Sequence, residues 1–391
     1  MEMFKTVVKL GAIGLLLSSF GCDSGSSGSD DPNDGQGNDS DNPNNTDNDE
    51  DDWLKREASP TSEFKPSNIE GTIDEMVDAL NGVEPNPDLK FAFIPKDLGT
   101  YFEVSVLGAN RAIAELGVVG TVVAPNPDDD PDAPTANELQ IGIFDEQIAA
   151  GATSFGVAPH SSELLDSIDS AVDEGATVIT FDSDVAESKR QLYIGTINAE
   201  AGKTAGHTLA DLIGDDTGTV VILGYDSEAW MGGYNRTHEA RKVLEEAGHT
   251  VIVRHTNWSD AGENETFIQE ALEEAENPVG CLGVFSNSFL CASAAEAAGV
   301  DIKVAAFDFE PETLEYMAAG KIHATHGQRI YYMGYLIPYL LYSVDSLGLD
   351  ETKSMVSDLM VDDYQIDLGL DVIPHDGVDD YNAFLEGLGV L

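Results

Sequence analysis

From about Leu89 onward the chain alternates short apolar runs with amphipathic stretches. Phe91-Ala-Phe-Ile94, Thr121-Val-Val-Ala124, Phe155-Gly-Val-Ala158, Thr177-Val-Ile-Thr-Phe181 and a short run at 192–194 read as buried strands. Helical periodicity over 102–116, 136–150 and 163–174 separates them. The rhythm then restarts with helix 200–213, strand Thr219-Val-Val-Ile-Leu223, helix 235–247, strand 251–253 and helix 264–275. Strand 282–285, helix 290–298, strand 303–306, helix 311–319, strand 323–327 and helix 331–347 follow. Near-continuous apolar strands linked by helices predict parallel sheets covered on both faces. The break near 190–198 divides them into two doubly wound sheets of about equal size. The expected fold is α/β, with two lobes and a cleft between them.

In such sheets ligands bind beyond the carboxyl ends of the strands. Tyr101 and Phe102 follow the first strand, and Asp182 follows strand 177–181. Arg236 follows 219–223, Trp258 follows 251–253 and Asn287 follows 282–285. Asp308 ends strand 303–306 and Gln328 ends strand 323–327. Each has a structural role open to it: Asp caps helices, Arg236 starts a helix, and Tyr101 and Phe102 fit a core. As a set they suit a neutral polyhydroxylated ligand. Carboxylates accept hydroxyl protons, guanidinium donates a planar pair of bonds, and amides do both. Aromatic faces cover the apolar side of a sugar ring.

Composition narrows the partners. The 391 residues carry 72 acidic and 19 basic side chains, a formal charge of −53. Nucleic acid is excluded, because phosphate binding needs clustered Lys and Arg. An anionic ligand would need a local basic pocket. The apolar content of 42% is that of a globular protein.

The N-terminus reads as an export device. Lys5 and Lys9 give a positive start, and Leu10 to Leu17 form a short apolar region. The segment ends in Ser-Phe-Gly-Cys at 19–22, which resembles a bacterial lipobox with Cys22 as the acylated residue. Ser19 stands where the usual Leu would be. Residues 23–52 hold eleven acidic residues and no basic one, and the composition to about residue 65 predicts a flexible acidic tether. Residues 66–88 form an N-terminal extension with a short helical pattern, Ile73 to Leu80.

Taken in order, several motifs carry a family resemblance. They are Phe93-Ile-Pro-Lys…Tyr-Phe102, Gly108-Ala-Asn, Thr180-Phe-Asp-Ser-Asp184 and Ser188-Lys-Arg-Gln-Leu-Tyr-Ile-Gly-Thr-Ile-Asn198. Ala306-Phe-Asp308, Gly320-Lys-Ile-His-Ala-Thr-His-Gly-Gln328 and Met333-Gly334 complete the set. Over roughly 89–350 the chain resembles the periplasmic sugar-binding proteins of ABC importers, the type I group that includes ribose binders. The resemblance implies ligand contacts at Tyr101, Phe102, Asp182, Arg236, Trp258, Asn287, Asp308 and Gln328. Lys96 is similar to a ligand-touching Lys of the autoinducer-2 binders of that group. Two positions depart from ribose binders: Gly99 replaces an Asn, and Ser183 replaces the Arg after the pocket Asp.

The family architecture implies crossings between lobes near 196–198, near 328 and around 357. The first lobe would then be 89–196 with 329–357, and the second 197–328 with 358–391. Function would be capture of a neutral, ribose-like sugar or polyol by hinge closure and delivery to an ABC permease. The protein would be a monomeric lipoprotein of a bacterial envelope, held at the periplasm or cell surface through Cys22. It would have no cofactor, no metal and no catalytic activity. Two other readings stand beside this one: a signalling receptor with the same pocket, and a glycoside-processing enzyme using Asp182 and Asp308. No Gly-x-Ser-x-Gly elbow, phosphate loop or helix-turn-helix supports an enzyme or a repressor.

His323 and His326 have strand spacing that points them to opposite faces, against a zinc site. Cys281 and Cys291 are expected as buried free thiols, set too far apart for a disulfide. Asp128-Asp-Asp-Pro-Asp132 reads as a solvated loop.

Overall fold

The computed structural model describes residues 52–127, 133–228, 230–258 and 260–390. The export segment, Cys22, the tether up to residue 51 and the acidic loop 128–132 lie outside the described residues.

Six strands form the first sheet: β1 (Lys90–Ile94), β2 (Val119–Val122), β3 (Ser154–Val157), β4 (Thr177–Phe181), β5 (Leu192–Gly195) and β11 (Gln365–Asp367). Their order is β11-β5-β4-β3-β1-β2, with every pair parallel. The second sheet holds β6 (Thr219–Gly224), β7 (Thr250–His255), β8 (Pro278–Gly283), β9 (Lys303–Phe307), β10 (Ala324–Gln328) and β12 (Leu370–Pro374). Its order is β12-β10-β9-β8-β6-β7, parallel except for the edge pair β10–β12. Every residue of β3, β4, β5 and β6 is buried, whereas the edge strand β2 is mostly exposed and β7 half-buried. This is the burial that continuous apolar runs demand of central parallel strands. The register levels the carboxyl ends: Ile94 pairs with Val157, Val157 with Thr180, and Phe181 with Ile194.

Twelve α-helices accompany the strands among the described residues. Those that bear on the site are α2 (Thr100–Leu116), α5 (Asn198–Ile213), α6 (Met231–Glu246) and α10 (Ile330–Leu347). In the first lobe α2 packs on α10, and in the second α5 packs on α6. Glycine permits both approaches. A Cβ on Gly334 would stand 1.8 Å from the Ser105 carbonyl oxygen, and one on Gly202 would stand 2.2 Å from that of Arg236. The helix α10 is apolar all round because α1 (Ser67–Asn81), α2 and the first sheet enclose it. Among the described residues no helix is long and apolar enough to cross a membrane.

The chain crosses between lobes at 196–197, at Arg329 and at 368–369, because β11 belongs to the first sheet and β12 to the second. The last crossing therefore lies about ten residues beyond the expected position near 357. β11 has three residues and buries only Ile366, too little for an apolar run to show. Arg329 binds the crossings together: Nη1 donates to the Leu368 carbonyl at 2.7 Å and Nε to Asp371 at 2.8 Å. Asp367 accepts from the Ile197 backbone at 3.2 Å.

Residues 53–65 are packed rather than part of a tether. Leu54 is buried, and Trp53 donates to the Leu80 and Val83 carbonyls. The charged residues around these few apolar anchors hid the contact. The extension helix is longer than Ile73 to Leu80, because Ile69, Ile73, Met76, Val77 and Leu80 form one buried stripe over α1. Cys281 and Cys291 are buried and free.

Candidate functional site

The site is built twice, once at the end of each sheet. Strand β4 ends at Phe181 and is followed by Asp182, and β9 ends at Phe307 and is followed by Asp308. Both aspartates have φ of 60°, a left-handed conformation that Asp tolerates better than most side chains. The neighbouring strand fixes each one. Asp182 N–H donates to the Ile194 carbonyl at 3.2 Å, and Asp308 N–H to the His326 carbonyl at 3.0 Å. The Asp182 carbonyl accepts from the Tyr193 hydroxyl at 3.2 Å, and the Asp308 carbonyl from the Thr325 hydroxyl at 2.9 Å. With both backbone polar groups satisfied by the sheet, the left-handed turn carries each carboxylate past the strand end.

In the first lobe Asp182 accepts from Lys96 Nζ at 2.8 Å and from the Tyr101 hydroxyl at 3.0 Å. Lys96 follows β1, and His160 bonds its carbonyl at 2.8 Å. Tyr101 lies in the first turn of α2. Burial and the Asp182 charge push its hydroxyl well above the ordinary range, so it acts as a donor. Phe102 sits behind it, edge-on to Tyr101 at 5.0 Å and to Phe181 at 6.3 Å, as a wall of the core.

In the second lobe Arg236 is 5% exposed. Its Nε donates to Asn198 Oδ1 at 2.8 Å, Nη1 to the Val284 carbonyl at 3.0 Å and Nη2 to Gln328 Oε1 at 3.2 Å. Gln328 Nε2 then donates to Asp308 Oδ1 at 3.1 Å. The guanidinium carbon lies 4.7 Å from the Phe307 ring centre and 5.7 Å from that of Phe285. Burial holds the Arg236 guanidinium below its ordinary range, and the nearby Asp308 and Asp182 carboxylates offset only part of that. Burial raises the Asp308 carboxyl, Arg236 and Gln328 oppose that rise, and Asp182 adds to it. Groups from both lobes thus share one electrostatic neighbourhood.

Asn287 stands in the single turn Ser286–Phe289 after β8, with its Oδ1 buried and unpartnered. Trp258 is 55% exposed and lies 5.1 Å from Phe285. Trp230 stacks on the same Phe285 at 5.2 Å, and Asn198 holds Arg236, although neither is among the strand-end candidates. Asn198 was visible as the end of the Ile-Gly-Thr-Ile-Asn motif. Trp230 precedes its helix, six residues from Arg236, and carried no strand-end signal. His326 is enclosed, bonding the Ala306 carbonyl at 2.7 Å and Thr208 at 3.0 Å. Among the described residues no cluster of His, Cys, Asp or Glu is placed to hold a metal ion. A surface depression of about 860 Å³ beside α3 (Ala136–Ala149) holds none of these side chains.

A family model described as periplasmic binding protein domain matches residues 91–346. Among curated proteins none matches the chain at a significant level. A periplasmic ribose ABC transporter protein from Conexibacter woesei is 19% identical, with TM-score 0.66, over 77% of this chain and 97% of its own. A sugar-binding protein of a sugar ABC transporter from Bacillus halodurans is 21% identical, with TM-score 0.63, over 75% and 99%. AraP, an arabinose binding protein from Geobacillus stearothermophilus, is 23% identical, with TM-score 0.63, over 75% and 99%. The chain belongs to the periplasmic binding protein family, and its fold is that of the type I group.

Proposed function

We propose that this periplasmic binding protein captures a neutral sugar or polyol of monosaccharide size between its lobes and delivers it to an ABC permease. The observation that carries the reading is charge balance at the site. Asp182 and Asp308 stand with Lys96 and Arg236, two carboxylates against two cations, in a chain of −53. A net-neutral array of acceptors and donors suits hydroxyl groups and penalises a charged cargo. Asp182, Asp308 and Asn287 Oδ1 accept hydroxyl protons. Lys96, Tyr101, Arg236 and Gln328 donate, and Trp258 covers an apolar ring face.

Sugar-binding proteins of the same fold, AraP and the Bacillus halodurans protein among them, agree with this cargo class. Contacts drawn from both lobes bind the closed form better than the open one, so ligand selects closure. Lipid attachment at Cys22 and an envelope location complete the proposal. A thermal-shift screen of D-ribose, L-arabinose, D-xylose, D-galactose, ribitol and autoinducer-2 tests it. At least one should raise Tm, and the same sugars bearing a phosphate should not. Asp182→Ala should abolish the shift with the far-ultraviolet spectrum unchanged. A screen with no neutral binder contradicts the reading.

A further inference from the structure

The segment from residue 53 to 66 precedes the region matched by the family model, which begins at residue 91. It starts on the first lobe. The Trp53 ring lies 5.6 Å from Tyr342 of α10, and Leu54 exchanges two 2.9 Å hydrogen bonds with the Asn81 side chain. Arg56 pairs with Glu70 of α1, which accepts from Tyr332 of α10 at 2.7 Å; both charged side chains are 5% exposed. Arg111 of α2 donates to the Glu57 carbonyl.

The chain then leaves this lobe. Phe64 meets Tyr381 edge-on at 5.0 Å. Pro60 covers Gly387, where a Cβ would stand 2.6 Å from the proline ring. Tyr381 and Gly387 belong to the last helix, α12 (Val378–Gly387), which packs on β12 and on α9 (Pro311–Ala318) of the second lobe. Tyr381 also stacks at 4.7 Å on Phe309, directly after Asp308. After Pro66 the chain returns to the first lobe as α1. One short segment is therefore anchored at both ends on one lobe and touches the other at its middle.

We infer that residues 53–66 are an interlobe strap, a fourth connection beside the three crossings, which raises the closed population before ligand arrives. Any rotation that swings α12 away from α10 must peel Pro60 and Phe64 from α12 or tear Trp53, Leu54 and Arg56 from α1 and α10. The second set is knit by buried hydrogen bonds, so the Phe64–Tyr381 contact is the part that yields. Apparent affinity scales with the closed fraction, so the strap strengthens binding without touching ligand. The affinity consequence rests on the hinge-closure reading above; the ligand-free geometry does not.

Small-angle X-ray scattering of the ligand-free full chain tests the strap. Phe64→Ala should enlarge the radius of gyration at unchanged circular dichroism. The oxidised double variant Pro60→Cys/Gly387→Cys, which staples the strap to α12, should leave it at or below the wild-type value. Any sugar that binds wild type should bind Phe64→Ala several-fold more weakly. A lower Tm for Phe64→Ala with unchanged scattering would show a merely structural contact and overturn the inference. If no sugar binds wild type but the scattering shift is seen, the cargo proposal fails and the strap stands.

Discussion

Asp182 and Asp308 occupy the same place in the two lobes. Each follows a buried Phe at the end of the fourth strand of its half, each has φ of 60°, and each is bonded through both backbone groups to the next strand. Sequence, backbone strain and chemistry meet here. A left-handed Asp is sustained only where the sheet over-determines it, and such positions gather at binding sites. Under the proposed function the pair supplies two matched acceptors, one from each lobe, for the hydroxyl groups of one ligand.

The backbone part of this claim is separable from the charge. Asp182→Gly and Asp182→Val both lose the bonds to Lys96 and Tyr101, so the backbone effect is read from their difference: Gly adopts positive φ freely and should be the more stable of the two. Asp182→Val, β-branched in a left-handed conformation, should cost roughly 1–3 kcal/mol more. Urea denaturation of the two variants measures the difference, and equal midpoints would remove the argument from strain.

Arg236 is the electrostatic keystone of the second lobe. Arg236→Met leaves Asp308 buried without its counter-charge and should destabilise by about 3–5 kcal/mol, as does stripping one partner from a buried pair. Asn198→Ala frees only Nε and should cost roughly 1–3 kcal/mol while weakening ligand binding. Denaturation paired with calorimetry reads both quantities. An Asn198→Ala protein with wild-type affinity would mean that Arg236 needs no positioning from α5.

His326 supplies a pH dependence with a definite sign. Burial lowers its pKa from 6.5 to about 4, against the opposing bond to Ala306. Between those values the unfolded chain binds a proton that the folded chain refuses, so this group's contribution falls as pH falls from 6.5 towards 4. The loss over that window is about 3 kcal/mol. The Asp308, Asp345 and Asp371 carboxyls, raised by desolvation, act in the other direction. The test is therefore a comparison: His326→Gln should flatten the slope relative to wild type. Superimposable stability–pH curves would contradict it.

The glycine contacts between helices give a steric test. Gly334→Ala places a methyl 1.8 Å from the Ser105 carbonyl oxygen, in contact with backbone that cannot rotate away. A loss of about 1–3 kcal/mol or more is expected, with α2 and its Tyr101 displaced from Asp182. Gly71, whose Cβ would meet nothing within 4 Å, is the control, and Gly71→Ala should be neutral or stabilising.

Much of this was legible in the sequence. Buried parallel strands are apolar throughout, so β4 was read to the residue and β9 to within one. Residues at strand ends were the natural candidates: Arg236, Gln328 and Asp308 are joined by hydrogen bonds in the second lobe, and Asp182 binds Lys96 and Tyr101 in the first. The signal failed where burial is sparse or interrupted. β11 buries one residue, and β8 begins at Pro278, four residues before the run that marked it. In residues 53–65 a Trp, a Leu and a Phe stand among charges. Asn198 and Trp230 act through other side chains, which spacing along a chain does not record. The Lys96–Asp182 pair spans 86 residues and exists only once the sheet is formed.

The central claim is that both lobes grip one uncharged, hydroxyl-rich ligand. Isothermal titration calorimetry of wild type, Asp182→Ala and Asp308→Ala against a panel of neutral pentoses, hexoses and polyols addresses it directly. The account predicts at least one sugar bound with one-to-one stoichiometry, with affinity falling at least roughly tenfold when either aspartate is removed, the equivalent of about 1.4 kcal/mol. Binding that survives the loss of one of the two would confine the site to a single lobe and contradict the account.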